Sequence, residues 1–200
     1  MWAAAVSTDK AIPAEPLNSH GLVRSFLRRH VREGALCIDA TAGRGRDTVF
    51  LSELTGESGH VVALDIQNEA VESTRRLIDE RGFGGTAEAF SDDHANIGHY
   101  ASEDTVDCIV FNLGWLPGGD HSVFTRAGSS VAAIGEGLRL LRSGGVMSVC
   151  IYYGRENGTG ERDAVLEYLR GVDPSRYTVV VCKFANRANC PPIPVFIIKD

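Results

Sequence analysis

From Ala35 onward the chain alternates short apolar runs, rich in β-branched residues, with longer stretches of helical periodicity, and this alternation restricts the fold more than any other feature. The runs lie at 35–40, 60–65, 86–90, 106–112, 145–152, 177–183 and 194–199, and helical patterns occupy 47–55, 68–81, 123–142 and 159–170. Strand, helix, strand connections return to one sheet as right-handed crossovers, so the pattern predicts an α/β, Rossmann-like doubly wound seven-stranded sheet covered on both faces. The last two runs have no helical stretch between them, and residues 171–198 are expected to form a closing antiparallel hairpin. Ahead of the first strand, Leu22, Val23, Phe26, Leu27 and Val31 recur at helical spacing behind Asn18 and Ser19, which predicts an amphipathic N-terminal helix reaching about Arg32. Residues 1–17 contain prolines and read as a flexible leader, leaving 18–200 as one domain.

A 200-residue chain has room for one hydrophobic core, so recognition falls to its loops and its first helix. The net charge of −6 and pI near 5.5 argue against a broad basic surface, although Arg24, Arg28, Arg29 and His30 gather on one face of the first helix. Five cysteines without a C-x-x-C pair exclude the usual zinc-ribbon and thioredoxin patterns, and no metal site is expected. Cys37, Cys108, Cys150 and Cys182 fall within strand-like runs and read as small buried hydrophobes of a reducing compartment. The N-terminus lacks a basic segment followed by an apolar stretch, and no run reaches about 18 apolar residues, so the expectation is a cytoplasmic protein that does not enter a membrane. A homodimer is left open by the sequence.

Doubly wound sheets bind ligands at the carboxyl ends of their strands, near the point where strand order reverses. The first such loop reads Asp39-Ala-Thr41-Ala-Gly43-Arg44-Gly45-Arg46-Asp47-Thr48. Gly43 and Gly45 permit a tight turn and close approach of backbone to a ligand. A dinucleotide fingerprint would place glycine where Thr48 stands, and an acid beside the helix N-terminus disfavours a pyrophosphate. With Asp39 at the same mouth, a cationic or zwitterionic ligand fits, and S-adenosylmethionine answers that description better than a nicotinamide dinucleotide. Asp65-Ile66-Gln67 ends the second strand, where an acid can accept both ribose hydroxyls or cap the following helix. After the third strand, Asp93 and His94 are candidates for contact with the nucleoside.

The fourth strand ends Phe111-Asn112-Leu113-Gly114-Trp115-Leu116-Pro117-Gly118-Gly119. An asparagine closing an apolar strand costs free energy unless its amide is paired. Its layout, followed by glycine, an aromatic ring and proline, is like the loop with which amino-group methyltransferases hold a target amine through a side-chain and a backbone carbonyl. Methylating an amine requires its lone pair aimed at the sulfonium methyl, so catalysis is mostly positioning and desolvation. Asn112, the Leu113 carbonyl and Trp115 are the catalytic candidates on this loop. Tyr152–Gly158 and Asn186–Pro192 face the same edge and read equally as lining of an RNA-base pocket or as solvated loops. His20, His121, Tyr152 and water remain open as acceptors of the amine's proton.

With these residues in view, the chain resembles the small rRNA-methylase group of class I S-adenosylmethionine methyltransferases. The resemblance rests on Asp39-Ala-Thr-Ala-Gly-x-Gly-x-Asp-Thr48, Asp65-Ile-Gln67, Asn112-Leu-Gly-Trp-Leu-Pro-Gly-Gly119, Tyr152-x-Gly154 and Pro191-Pro-Ile193, and runs from about Ser19 to Lys199. It implies methyl transfer from S-adenosylmethionine to the amine of 5-aminomethyl(-2-thio)uridine at the tRNA wobble position, with the anticodon region of tRNA as partner. On that reading Asp39 and the Gly43 and Gly45 backbone hold the methionine end and Asp65 the ribose, with Thr41, Asp47, Thr48, Ile66, Gln67, Asp93, His94 and Asn112 completing the cofactor site. Asn112, Leu113, Trp115, His20 and Tyr152 serve catalysis. The chain departs from the family pattern at Arg44 and Arg46, where relatives usually carry Asn and often His, and at Trp115, commonly Tyr.

Overall fold

The computed structural model describes residues 15–115, 125–154 and 158–200. Helix α1 (Ser19–His30) leads into five β/α units: β1 (Leu36–Asp39), α2 (Arg46–Thr55), β2 (His60–Asp65), α3 (Asn68–Glu80), β3 (Ala87–Ser91), a 3-10 segment (His94–His99), β4 (Val106–Leu113), α4 (Ala127–Leu140), β5 (Leu141–Ile151) and α5 (Gly158–Arg170). Strands β6 (Tyr177–Val181) and β7 (Ile193–Lys199) close the chain. The sheet order is β3-β2-β1-β4-β5-β7-β6, parallel through β5, with β7 antiparallel to both β5 and β6. The predicted seven-stranded doubly wound sheet and its antiparallel hairpin are therefore present. Strand order reverses between β1 and β4, which puts the switch point where the loops after Asp39 and Leu113 face each other.

Alternate residues of the central strands feed two cores. Ile38, Val62, Ile109, Phe111 and Val149 pack beneath α4 and α5 with Ile134, Leu138, Val165 and Leu169. Cys37, Val61, Ala63, Cys108 and Val110 pack on the other face with Val23, Leu27, Phe50, Leu51 and Val71. Burial on both faces is why these strands are continuously apolar rather than alternating. The cysteines are free, with Cys37, Cys108 and Cys150 buried as expected, Cys182 partly buried just past β6, and Cys190 exposed in the hairpin loop.

Three sequence readings shift. Helix α4 ends at Leu140 instead of 142, because the chain passes directly into a long β5 whose turn at Gly144, φ +73°, suits glycine. The span 92–100, with no helical periodicity, forms a 3-10 segment capped by the Asp93 side chain, which accepts from the Ala95 N–H at 2.9 Å. Two arginines of the basic face of α1 are engaged locally: Arg24 and Arg28 lie over the Phe50 ring at 3.8 and 4.8 Å and pair with Glu15, while Arg29 and His30 are exposed. Helix α1 itself is N-capped by Asn18 and stacks Phe26 on Phe196 of β7, centroids 4.3 Å apart.

Candidate active site

Asp39 ends β1 fully buried. Thr48 in the first turn of α2 donates its hydroxyl to Asp39 Oδ2 at 2.7 Å, and the Thr41 N–H reaches Oδ1 at 3.3 Å. Thr48 is buried like Asp39 and fixes the orientation of that carboxyl. Burial, followed by the negative charge of Asp47, pushes the Asp39 carboxyl up to about 7. Such a group ionises readily once a cation is placed beside it. Gly45 caps α2 at φ +76°, and a Cβ there would lie 3.0 Å from Thr74 Cα, so both backbone angle and space demand glycine.

Asp65 at the end of β2 accepts from the Gly43 N–H at 2.9 Å through Oδ2 and from the Gln67 N–H at 2.9 Å through Oδ1. One carboxylate thus ties the first glycine loop to the second βα turn and keeps lone pairs for further hydroxyl donors. Beside it Ile66 is 61% exposed, a large apolar side chain with an open face.

Asn112 bridges the switch point. Its backbone N–H donates to Thr41 Oγ1 at 2.7 Å and its side-chain Nδ2 to Asp47 Oδ2 at 2.8 Å. Asp47 can only accept while ionised, so the amide orientation is determined and Oδ1 is left as an acceptor. The polar group that would be costly at the end of a buried strand is thereby paired. The next carbonyl, Leu113 O, takes the Tyr152 N–H at 2.8 Å and retains a second lone pair. Asp39, Thr41, Thr48, Asp47 and Asn112 form one hydrogen-bonded unit, and Gly43, Asp65 and Gln67 form a second that shares the first glycine loop.

The loop after β4 is held from behind by residues that the sequence reading did not single out. The Gly114 N–H donates to Thr125 Oγ1 at 2.8 Å, Thr125 donates its hydroxyl to Glu161 Oε2 at 2.8 Å, and Ser130 donates to Glu161 Oε1 at 2.5 Å. Glu161 lies on α5 and is only 4% exposed. Its signal in the sequence is positional: it heads the i, i+4, i+8 stripe with Val165 and Leu169, where an apolar residue is expected.

The remaining candidates lie outside these two units. Asp93 caps the 3-10 segment, while Asp92 is occupied by Asn96 Nδ2, the Tyr100 hydroxyl and the Asp93 N–H. The His94 side chain is 10% exposed and packs edge-on to Phe111, and its Nε2 is buried without a hydrogen-bond partner. Burial holds this imidazole below its ordinary value, hence neutral at physiological pH. His20 is exposed on the first turn of α1, whose Ser19 hydroxyl anchors to Pro192 O at 2.7 Å in the hairpin loop. Tyr152 follows β5 with its hydroxyl raised above the ordinary phenol range, first by burial and then by Cys150. It stays protonated at neutral pH and is a poor acceptor for a substrate proton. Trp115 is half-buried at the limit of the described loop. Leu116 to Gly119, His121, Arg155 to Asn157 and most of the leader lie outside the described residues.

Comparisons with known proteins show the family and the fold. Residues 61–198 match the family model described as "Putative rRNA methylase". The chain belongs to that family. It is 33% identical over 180 residues, 84% of this chain, to an Arabidopsis thaliana chloroplastic tRNA (mnm5s2U34)-methyltransferase, and the match spans 65% of the plant protein's length. A Clostridium thermocellum structure described as a "putative rRNA-methylase" superposes with TM-score 0.89 at 40% identity, covering 92% of this chain and 98% of that one. A Streptococcus mutans "putative methyltransferase" solved in complex with SAH gives TM-score 0.82 at 34% identity, with 92% and 98% coverage. By family and by fold this is an rRNA-methylase homologue of class I methyltransferase architecture.

Proposed function

We propose that this methyltransferase acts on RNA, and specifically on the amine of 5-aminomethyl(-2-thio)uridine at the wobble position of tRNA. The observation that carries the reading is the Asn112 amide, fixed by Asp47 with its oxygen left to accept, one residue before the Leu113 carbonyl. Two acceptors on adjacent residues match the two N–H groups of a primary amine, so the neutral amine is held with its lone pair free. The plant relative's name carries mnm5s2U34, a 5-methylaminomethyl nucleoside, which is what methylation of such an amine gives.

Three otherwise unexplained features fit the cofactor. Asp39 is a buried carboxyl raised to about 7, suited to an ammonium group. Ile66 offers an exposed apolar face beside Asp65, suited to a nucleoside, and the buried Nε2 of His94 lacks a partner. We assign Asp39 with Thr41, Gly43 and Gly45 to the methionine end, Asp65 with Ile66 and Gln67 to the ribose side, and Asp93 or His94 to the base. Thr48 and Asp47 act by orienting Asp39 and Asn112. S-adenosylmethionine, when bound, supplies an electrophilic methyl on a sulfonium, and the protein's part is positioning and exclusion of water. The ammonium form of the substrate must lose a proton first. With Tyr152 held as a phenol, that proton goes to water, to the exposed His20 or to His121. Trp115 is the ring expected to pack on uracil. Among the described residues no helix is long and apolar enough to cross a membrane, and we place the activity in the cytoplasm.

Ribosomal RNA is the second reading, favoured by the family's description and by a short 26% match over 84 residues to a ribosomal RNA small subunit methyltransferase H of Alteromonas mediterranea. Mass spectrometry of nucleosides from a deletion strain separates the two. Loss of 5-methylaminomethyl(-2-thio)uridine from tRNA is expected, and an unchanged pool would reject the tRNA assignment. Purified Asn112→Ala is expected to bind S-adenosylmethionine with ordinary affinity and to lose at least about 100-fold in methyl transfer to undermodified tRNA. Undiminished turnover would rule out this role for Asn112.

A further inference from the structure

A groove of about 330 Å³ runs between α5 and the loop joining β6 to β7, away from the Asp39 and Asp65 loops. Four of its lining side chains are basic, Arg162, Arg170, Lys183 and Arg187, against one acid, Asp163, so the lining carries 4 − 1 = +3 in a chain whose net charge is −6. Two of the arginines lie on aromatic rings that also line it: Arg162 over Tyr153 at 5.0 Å and Arg187 over Phe184 at 4.3 Å. Arg162 is further tied to Asp163 at 2.8 Å, and Arg187 donates to Leu17 O at 2.8 Å, so these two guanidinium planes are held in place. Lys183 and Arg170 are exposed, Arg170 paired only with the equally exposed Glu167 among the contacts described.

Positive charge interleaved with flat aromatic and guanidinium surfaces is the combination that binds single-stranded nucleic acid, the charges on phosphates and the planes on unstacked bases. The placement fits the same partner. Tyr153 follows β5 directly after Tyr152, whose N–H binds Leu113 O. Strand β6 is three strands from β4, a distance of about 14 Å or roughly four stacked nucleotides. We propose that this groove holds the RNA strand flanking the methylated nucleotide, with Lys183 and Arg170 on phosphates and the Arg162/Tyr153 and Arg187/Phe184 pairs as platforms for bases. The proposal rests on the RNA-methyltransferase reading above. It also explains how an acidic protein grips RNA: through one local patch remote from the cofactor's carboxylates.

The test uses the full chain with Arg170→Gln and Lys183→Gln combined, which leaves the stacked arginines untouched. Binding of a labelled anticodon stem-loop is followed by fluorescence anisotropy across a KCl series, together with methylation of a 5-aminomethyl-2-thiouridine stem-loop and calorimetric S-adenosylmethionine binding. The variant is expected to lower the salt slope by about 1.4, at about 0.7 per lost phosphate contact on a single strand. KM for the stem-loop should rise roughly tenfold, with kcat at saturating RNA and cofactor affinity unchanged. A slope and KM equal to wild type would overturn the groove assignment. So would a change of oligomeric size on gel filtration with RNA affinity intact, which would mean that a second copy covers the groove. RNA bound by wild type with a groove-dependent slope but never methylated would uphold the groove and overturn the methyl-transfer reading, and RNA neither bound nor methylated would overturn both.

Discussion

At the scale of single residues, the site is a set of acids with different duties. Asp65 and Asp47 accept from neighbouring loops, whereas Asp39 is buried and raised to about 7. A carboxyl whose pKa is raised on folding contributes stability that is fully present below its unfolded value near 3.8 and is lost as pH rises through about 7. Asp39→Asn removes that dependence, so urea unfolding of the ligand-free protein at a series of pH values should show the variant gaining on wild type between pH 5 and 8. A difference that stays constant with pH would contradict the burial account. Cationic S-adenosylmethionine should draw Asp39 into its ionised form, and calorimetry at pH 7 in buffers of different ionisation enthalpy should therefore record net proton release. Asp47→Ala frees the Asn112 amide, and single-turnover methyl transfer should slow by ten- to a hundredfold, an effect of about 1.4 to 2.7 kcal/mol on the barrier.

At the scale of elements, the decisive arrangement is α5 supporting the loop after β4. The Glu161 carboxylate satisfies Thr125 and Ser130, and Thr125 in turn holds Gly114, so a helix outside the cofactor loops determines where the Asn112 segment ends. Removing this acceptor leaves the buried Ser130 hydroxyl and the partly buried Thr125 hydroxyl unpaired. Glu161→Ala is expected to lower the unfolding free energy by about 2 to 3 kcal/mol in urea titrations and to raise KM for RNA, while Glu161→Gln keeps one acceptor and costs about half as much. The strands, helices and most boundaries were legible from periodicity, because each element carries its own apolar pattern. The 3-10 segment was not, since six residues set by one Asp93 cap leave no periodic signal. Glu161 was passed over because its partners lie 31 and 36 residues away, and their proximity arises only when α4 and α5 pack together.

For the whole molecule, sheet order gathers the chemistry. The reversal between β1 and β4 brings Thr41 and Asp47 against Asn112, residues 71 and 65 positions apart, and the β6–β7 pair carries the basic groove to the other end of the same edge. Because the cofactor loops span β1, β2 and β4, ligand binding should stabilise the entire domain. At a hundredfold excess over Kd the gain is about 2.7 kcal/mol, which corresponds to a rise in Tm of roughly 5 to 10 °C for a chain of this length. Thermal scans should show that rise with S-adenosylmethionine in wild type and its loss in Asp39→Asn.

The sequence by itself determined the α/β class, the closing hairpin, the glycine loop with its acids and the Asn112 segment, because each is a local pattern whose physical cause lies within a few residues. The tertiary structure alone decided which groups meet. Asp47 turned out to orient Asn112, Glu161 to brace the loop from behind, Arg24 and Arg28 to be spent on Phe50 and Glu15, and Arg162, Arg170, Lys183 and Arg187 to line one groove. Hydrogen bonds and charge act over a few ångströms in space, and the sheet order that brings those ångströms about is a property of the folded chain.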